Sequence, residues 1–563
     1  MDSNTDVDDV LKSLGTWGKY QTFQLALSTI GIWPSAFQLL SIVFTGYRPD
    51  FECDTDQIDS TNITNIVTSN ISFEVRQCDV TLFRNSTNST TVSKHACKGY
   101  LYSIPKDRSF VTEWDLVCDR SALAEFSQTL AMIGQAIGAT VCTSLADRFG
   151  RKTITVSSHL CILTLGIAIA FSPNYTVFAI LRFFIGIFQQ GIGMAGAILN
   201  LEIIPMENRY IVEILGQLTW TTGVALVTAF GYFLRDYSWR YTHIAISLFS
   251  CYSIIQYWIQ EESIRWLIIN NKLKEAERIV RKAARWNNVK YDDVIKRLEI
   301  LKEKKKSLAT KETLTEKEEI TRMININADD TMPQKACLDM ESQTSDVEYL
   351  NVTHIFREKI ILFNSLILWF AWVTDSLTYY GLTLTSTSLA GDRFVNYLIT
   401  ALVEYPAVFI EFFILNRYLF DCLHGFFSVT DGNSSLITSS RVFTFLGKMT
   451  ITGAFSTIFL YTPELYPTNL RNVGLGLSSA ISRLGGMVAP FAGILAMYIS
   501  WGPGAAFGIM CVIVSLLCLY LPETRGFELP QTIEELKQWY RQHSGKKRKD
   551  VAVNYRDKES VAK

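Results

Sequence analysis

The chain reads as an all-α membrane protein built from two homologous six-helix halves, and three features carry that reading. About eleven apolar runs, each of roughly the 18–25 residues needed to cross a ~30 Å hydrocarbon core, punctuate a chain of 563 residues that is 48% hydrophobic and 12% aromatic. The motif Glu202-Ile203-Ile204-Pro205-Met206-Glu207-Asn208-Arg209 follows one run, and Glu464-Leu465-Tyr466-Pro467-Thr468-Asn469-Leu470-Arg471 follows a later one. Glu262-Ser263-Ile264-Arg265 and Glu523-Thr524-Arg525 repeat at nearly the same offset. A repeat this long in a chain of spans predicts two halves packed side by side, with a substrate site between them near the bilayer midplane.

Residues 1–21 form an acidic start (Asp2, Asp6, Asp8, Asp9) ahead of the first apolar run, 22–44. A cleavable signal begins basic, so this run reads as a retained span. Further spans are expected at 122–144, 154–172, 176–198, 211–234 and 241–260, completing a first half over 22–260. Between spans one and two, the polar loop 45–121 carries sequons at Asn62, Asn70, Asn85 and Asn88 and the cysteines Cys53, Cys78, Cys97 and Cys118. Sequons and an even cysteine count in one loop predict the secretory-lumen side, with glycans and two disulfides whose pairing stays open.

Basic clusters mark the opposite side. Asp147-Arg148-Phe149-Gly150-Arg151-Lys152 follows span two, a basic stretch from Lys272 to Lys311 follows span six, and Lys546-Lys547-Arg548-Lys549 lies near the end. By the positive-inside rule all three are cytoplasmic, and so are both termini of a multi-pass plasma-membrane protein. Within the linker 261–358, Leu273, Ala276, Ile279, Val280 and Ala283 have helical spacing, predicting helices under the bundle. The sequon at Asn351 falls on this side and is expected to be unused.

The second half, 359–522, holds spans at 360–381, 395–416, 441–461, 474–498 and 502–521, before a cytoplasmic tail over 523–563. One span is short. Leu419–Val429 would rise only about 16 Å as a helix, yet an odd number of spans would put the basic tail outside. A short, tilted or irregular ninth segment is therefore expected, for twelve spans in all, with an altered splice or gene model as the competing explanation.

Asp147–Lys152, Arg182-Phe183 with Gly186, Glu202 with Arg209, Glu262 to Leu267, Glu464 to Thr468 and Pro522-Glu523-Thr524 together resemble the major facilitator superfamily. Within it, the large first loop ending in Glu113-Trp114-Asp115-Leu116-Val117-Cys118 is similar to the signature of the organic cation, organic anion and carnitine transporter family. The resemblance runs from about residue 10 to 540 and implies twelve helices, alternating access and carriage of small charged organic solutes. It implies no cofactor, and it leaves sodium and proton coupling both open. Departures are Thr143 in place of glycine, Glu261 and Ile264 in place of prolines, and a degraded second loop motif at Asn416-Arg417-Tyr418-Leu419-Phe420.

Gating is expected at Asp147, Arg148, Gly150, Arg151, Glu202, Arg209 and Arg265, and in the second half at Glu464 and Arg471. Gly150 allows the tight turn, and the charges can pair in one access state and part in the other. A merely topogenic basic loop is the plainer alternative.

Ionisable groups inside spans are costly and are candidates for function by default. Arg483 sits beside the small-residue stripe Gly474, Ser478, Ser482 and Gly486, which predicts that it faces the interior. In the resembled family, anion and carnitine carriers have arginine here and cation carriers aspartate; a cation would attract a substrate carboxylate. An internal ion pair with Asp375 or Glu404 is the alternative. Glu404 reads equally as part of a cation or coupling-ion site and as a structural partner of Arg182 or Lys448. Trp372 and Tyr379, flanking Asp375, could offer ring faces to a quaternary ammonium, although most aromatics in spans simply pack.

Gly191-Ile192-Gly193-Met194-Ala195-Gly196 matches the dinucleotide-binding pattern, but it lies in an apolar helix with no strand before it, so it reads as close-packing glycine. No phosphate loop, metal-ligand cluster or nucleophile–base pattern is present, which argues against an enzyme or a nucleic-acid partner. The expected partners are membrane lipid and a small organic ion or zwitterion, with a carnitine-like betaine as the sharpest candidate; nothing bears on oligomeric state. The alternatives are an organic cation carrier and a transport-inactive sensor or scaffold.

Overall fold

A computed structural model describes residues 7–15, 17–54, 71–75, 77–86, 89–97, 99–291, 294–300, 352–389, 391–414, 434–467, 470–499, 501–522 and 533–537. Among the described residues, nine helical segments are long and apolar enough to cross a membrane, and a shorter apolar helix, Gly502–Cys518, follows them. The first half contains α1 (Val7–Ser13), α2 (Lys19–Thr45), α3 (Ser121–Phe149), α4 (Arg151–Ala170), α5 (Tyr175–Ile203), α6 (Arg209–Phe233), α7 (Trp239–Leu248) and α8 (Tyr252–Ile259). Two short helices, α9 (Ile264–Ile269) and α10 (Leu273–Asn287), lead out of it. The second half contains α11 (Val352–Arg357), α12 (Lys359–Thr385), α13 (Arg393–Leu402), α14 (Glu404–Ile414), α15 (Ser434–Leu465), α16 (Arg471–Val488), α17 (Ala492–Tyr498) and α18 (Gly502–Cys518). The expected ninth span and the degraded loop motif at Asn416–Phe420 lie outside the described residues.

Local chemistry sets the helix ends. Asn174 caps α5 by accepting from the Val177 amide, Ser263 caps α9 through Trp266, and Asp392 caps α13 through Phe394 and Val395. Each side chain satisfies a backbone donor that the first helical turn leaves unpaired. Where α3 crosses α5 the backbones nearly touch: a Cβ on Gly186 would stand 2.0 Å from the Ala131 carbonyl oxygen. Only glycine permits that approach.

The loop between α2 and α3 adds small antiparallel sheets that a purely helical reading did not foresee. Strand β1 (Phe51–Cys53) pairs with β5 (Tyr100–Tyr102), while β2 (Ile71–Val75), β3 (Asp79–Ser86) and β4 (Ser89–Ala96) form a meander. Disulfides Cys53–Cys97 and Cys78–Cys118 resolve the open pairing. Asn85 lies in β3; Asn62, Asn70, Asn88 and Asn351 fall outside the described residues.

The loop is clamped to the first half through the Glu113–Cys118 signature. Glu113 accepts from Trp239 Nε1 at 2.5 Å and from Arg240 Nη2 at 2.6 Å, and Trp114 packs edge-on against Trp239 at 5.5 Å. Asp115, at φ +49°, accepts from the Tyr102 hydroxyl at 3.0 Å. At the opposite end of the bundle, α10 buries Ala276, Ile279, Val280 and Ala283 in one cluster with Val10, Leu11 and Leu14. The acidic start therefore docks on the linker helices. Arg265 pairs with Asp8, and Lys12 reaches Glu207 at 2.6 Å.

Candidate substrate-binding site

Side chains from both halves meet midway along the bundle. Glu404 and Lys448 are both fully buried and pair at 3.0 Å. Thr221 donates to Glu404 Oε2 at 3.0 Å and Tyr379 donates to Oε1 at 2.9 Å, while Trp220 Nε1 donates to the Tyr379 hydroxyl at 2.8 Å. Lys448 also donates to Thr383 Oγ1 at 2.7 Å, and its ammonium stands 3.1 Å from the centre of the Tyr379 ring. Trp220 and Thr221 belong to α6, so this network stitches α6 of one half to α12, α14 and α15 of the other. Of the two structural partners open to Glu404, Lys448 is the one in place.

Arg182 lies elsewhere, buried in the first half, where it donates to the Gln38 carbonyl at 2.8 Å and to Gln128 Oε1. That placement is structural, joining α2, α3 and α5. Trp372 is fully buried and donates to Thr462 at 3.0 Å, with Phe459 against its ring at 4.4 Å. It packs within the second half, whereas Tyr379, two helical turns on, faces the seam. Asp375, between them on α12, is 3% exposed.

Arg483 is half-buried on α16 and faces Gln135 of α3. Its Nη1 donates to Gln135 Oε1 at 3.3 Å, and it also hydrogen-bonds Tyr380. Gln135 donates to Gln189, which donates to the Ser35 carbonyl, forming a chain of neutral amides behind the arginine. Glu404 is held by Lys448 rather than by Arg483.

The loop-motif residues cluster at the end of the bundle away from the disulfides. Arg151 reaches Asp147 at 3.0 Å and Glu202 at 3.3 Å, the second an ion pair without hydrogen-bond alignment. Glu262 accepts from the Lys152 and Ser263 amides, and Trp266 Nε1 donates to the Asp147 carbonyl. Burial pushes the Glu262 carboxyl up, against the pull of those amides and of Arg151. Gly150 takes φ +105°, and a Cβ there would stand 2.2 Å from Glu262 Oε2. Arg148 projects beside the Phe149 ring at 5.4 Å. Arg209 starts α6 and Arg471 starts α16, donating to the Pro463 carbonyl at 2.8 Å; Glu464 lies in the last turn of α15. The Asp147–Arg151–Glu202–Glu262 cluster thus closes within the first half, and Arg265 turns instead to Asp8.

The contacts that bridge the halves run from the middle to the disulfide end. Thr129 donates to the Met487 carbonyl at 2.8 Å, the Phe44 ring stacks on Phe394 at 5.3 Å, and the Arg393 guanidinium covers Tyr47 at 3.6 Å. Sequence reasoning missed Thr221, which reaches Glu404 across the seam. Its signal was weak, since a threonine in a span ordinarily packs.

A family model described as "Sugar (and other) transporter" matches residues 81–418. The chain is 29% identical over 554 residues to the "Organic cation transporter protein" of Drosophila melanogaster, covering 94% of each chain. It is 30% identical over 464 residues to "Organic anion transporter 3" of Sus scrofa, covering 80% of this chain and 78% of the other. To the "Organic cation/carnitine transporter 2" of Rattus norvegicus it is 29% identical over 595 residues, covering 97% of both. Among solved structures, the inward open conformation of the xylose transporter XylE from E. coli superposes with a TM-score of 0.54 at 14% identity, covering 92% of this chain and 99% of that one.

Proposed function

Since the chain belongs to the sugar (and other) transporter family of the major facilitator superfamily, and within it to the organic cation, organic anion and carnitine transporters, we propose that it carries a small organic anion across the plasma membrane. Its relatives are transporters, not enzymes, and the chain is a multi-pass membrane protein.

The observation that carries the anion reading is how the central charges are arranged. Arg483 leans on neutral amides and a tyrosine, while Glu404 is saturated by Lys448, Thr221 and Tyr379. A cation backed by neutral dipoles retains its attraction for a carboxylate, and the attraction is strong where water is scarce. The place that would suit a substrate ammonium, a carboxylate beside an aromatic face, already holds the ammonium of Lys448. A betaine such as carnitine is the second reading: Asp375 lies on α12 one turn before Tyr379, and a carnitine carrier is among the relatives.

In this reading the disulfide-bearing loop faces outside, the termini are cytoplasmic, and the bridged state is open to the cytoplasm. The Asp147–Arg151–Glu202 cluster then waits for the second half to close upon it, powered by substrate exchange or by a sodium or proton gradient. The test is uptake of labelled carnitine, an aryl carboxylate and tetraethylammonium by cells expressing the chain, with Arg483→Ala in parallel and surface delivery checked. Anion or carnitine uptake that collapses in the variant supports the proposal. Cation uptake indifferent to Arg483 would replace it with the cation reading, and no uptake of any probe would favour a transport-inactive protein.

A further inference from the structure

A cationic edge lies at the loop-motif end of the bundle, where spans of the first half meet α10. Arg278 and Lys282, one turn apart on α10, both reach the Glu261 carboxylate, at 3.1 Å and 2.7 Å. Lys152, at the start of α4, interacts electrostatically with the same three side chains, and its ammonium stands 5.5 Å from the centre of the Tyr257 ring. Glu262 also acts on Lys152, but its carboxylate is turned to the backbone amides of Lys152 and Ser263. Glu261 is thus shared among three cations. Lys274 and Arg285, both exposed, extend the positive charge along α10, on the side opposite its buried face.

A basic face alone is ordinarily just solvated. What sets this one apart is the apolar surface beside it. Tyr257 and Trp258 end α8 with 55% and 71% of their surface exposed, and Ile254 and Ile255 are exposed one turn before them. Trp286 of α10 packs on Phe23 and Tyr20 at the foot of α2, at 5.4 Å and 6.2 Å, and the Lys282 ammonium lies 5.8 Å from its ring. Aromatic rings at the end of a span sit at headgroup level. The three cations therefore stand where the phosphates of the adjoining leaflet lie, with apolar side chains continuing from them toward the acyl chains.

We propose that Lys152, Arg278 and Lys282 hold the headgroup of an anionic phospholipid of the cytoplasmic leaflet, with its acyl chains along Tyr257, Trp258 and Ile254. The cytoplasmic leaflet is the one rich in anionic lipid, and each basic side chain near its surface strengthens attraction about fivefold. The apolar wall selects a lipid over a soluble phosphate. Glu261 acts as an internal competitor, since it occupies the two α10 cations that the phosphate would take. The Lys152 amide donates to Glu262, so a lipid held on this residue also steadies the turn at Gly150. The site rests on the cytoplasmic placement of this end and not on the anion reading at Arg483, so either can fail alone.

The test is native mass spectrometry of the purified full-length protein in detergent, titrated with dioleoylphosphatidylserine and, as the neutral control, dioleoylphosphatidylcholine. Wild type is compared with Arg278→Gln, Lys282→Gln, the double variant, Glu261→Gln and Lys537→Gln, each as a single gel-filtration peak. Lys537 pairs with Glu358 under the second half at 2.8 Å, so its variant loses the same charge elsewhere. The expected result is phosphatidylserine affinity weakened about fivefold by each α10 substitution and further by both together. Glu261→Gln should tighten it, Lys537→Gln should leave it unchanged, and phosphatidylcholine should bind more weakly throughout. The opposite sign at Glu261 separates a binding role from a structural one, because breaking a merely structural ion pair from either side would act alike. Equal binding of the two lipids, affinity untouched by the double variant, weakening in Glu261→Gln, an equal loss in Lys537→Gln, or displacement of the lipid by excess inorganic phosphate would each overturn the proposal.

Discussion

Replacing Lys448 with methionine strips the cation from a carboxylate that no water reaches. Glu404 and Lys448 are both fully buried, and after the substitution Glu404 keeps only the hydroxyls of Thr221 and Tyr379. Removing one partner of a buried pair costs about 3–5 kcal/mol, most of it the burden of the orphaned charge, whereas replacing both by neutral groups of similar volume is often close to neutral. Lys448→Met should therefore lower the thermal midpoint of the detergent-solubilised protein by several degrees, and Glu404→Gln combined with Lys448→Met should recover most of the loss. The vacated space retains a carboxylate and the Tyr379 ring, the two elements that hold a quaternary ammonium, with a desolvated cation–π contact worth about 2 kcal/mol. Tetraethylammonium should then stabilise Lys448→Met and not the double variant, and uptake of tetraethylammonium should rise above wild type in Lys448→Met alone. If wild type already takes up tetraethylammonium as fast as the variant does, or if the ammonium leaves Lys448→Met as unstable as before, the tethered lysine is not what excludes cations.

Gly150→Ala should destabilise the turn between α3 and α4 by about 1–3 kcal/mol, because φ +105° with ψ 148° is a backbone conformation open almost only to glycine, with more from the clash with Glu262; thermal unfolding of the surface-delivered protein measures it. Non-reducing peptide mapping should recover Cys53 joined to Cys97 and Cys78 joined to Cys118, and any crossed pair would contradict the loop's sheet arrangement. Glu113→Gln removes the charge from the bonds to Trp239 and Arg240, each worth about 1.5–3 kcal/mol as a charged hydrogen bond, so limited proteolysis of the outer loop should speed up severalfold. Asp8→Asn should release α1 from Arg265, and hydrogen exchange over 273–287 should rise while exchange in α3 stays level.

What the sequence made legible follows from how sharply each constraint is written into residue type. A bilayer tolerates only backbone that bonds to itself, so a span long enough to cross it announces itself as an apolar run, and the small-residue stripe on α16 turns Arg483 toward the interior, though only the structure shows that it meets Gln135 of α3 there. The Glu113–Cys118 signature marks the loop, yet its work was hidden: Glu113 acts through Trp239 and Arg240, more than a hundred residues away and on another helix. The same limit governs the central site. Glu404 could be singled out as a buried acid, but whether its partner is Lys448, Arg483 or a substrate depends on which helices meet at the seam, and no local pattern encodes that. The distinction decides the chemistry. A free acid in that position invites cations, whereas one already satisfied by a tethered lysine withholds the invitation and leaves Arg483 as the unspent charge. Selectivity here would then come from an internal ion that occupies the rival ligand's place, a repulsive device as much as an attractive one, and it is legible only once Lys448 is seen lying on the ring of Tyr379.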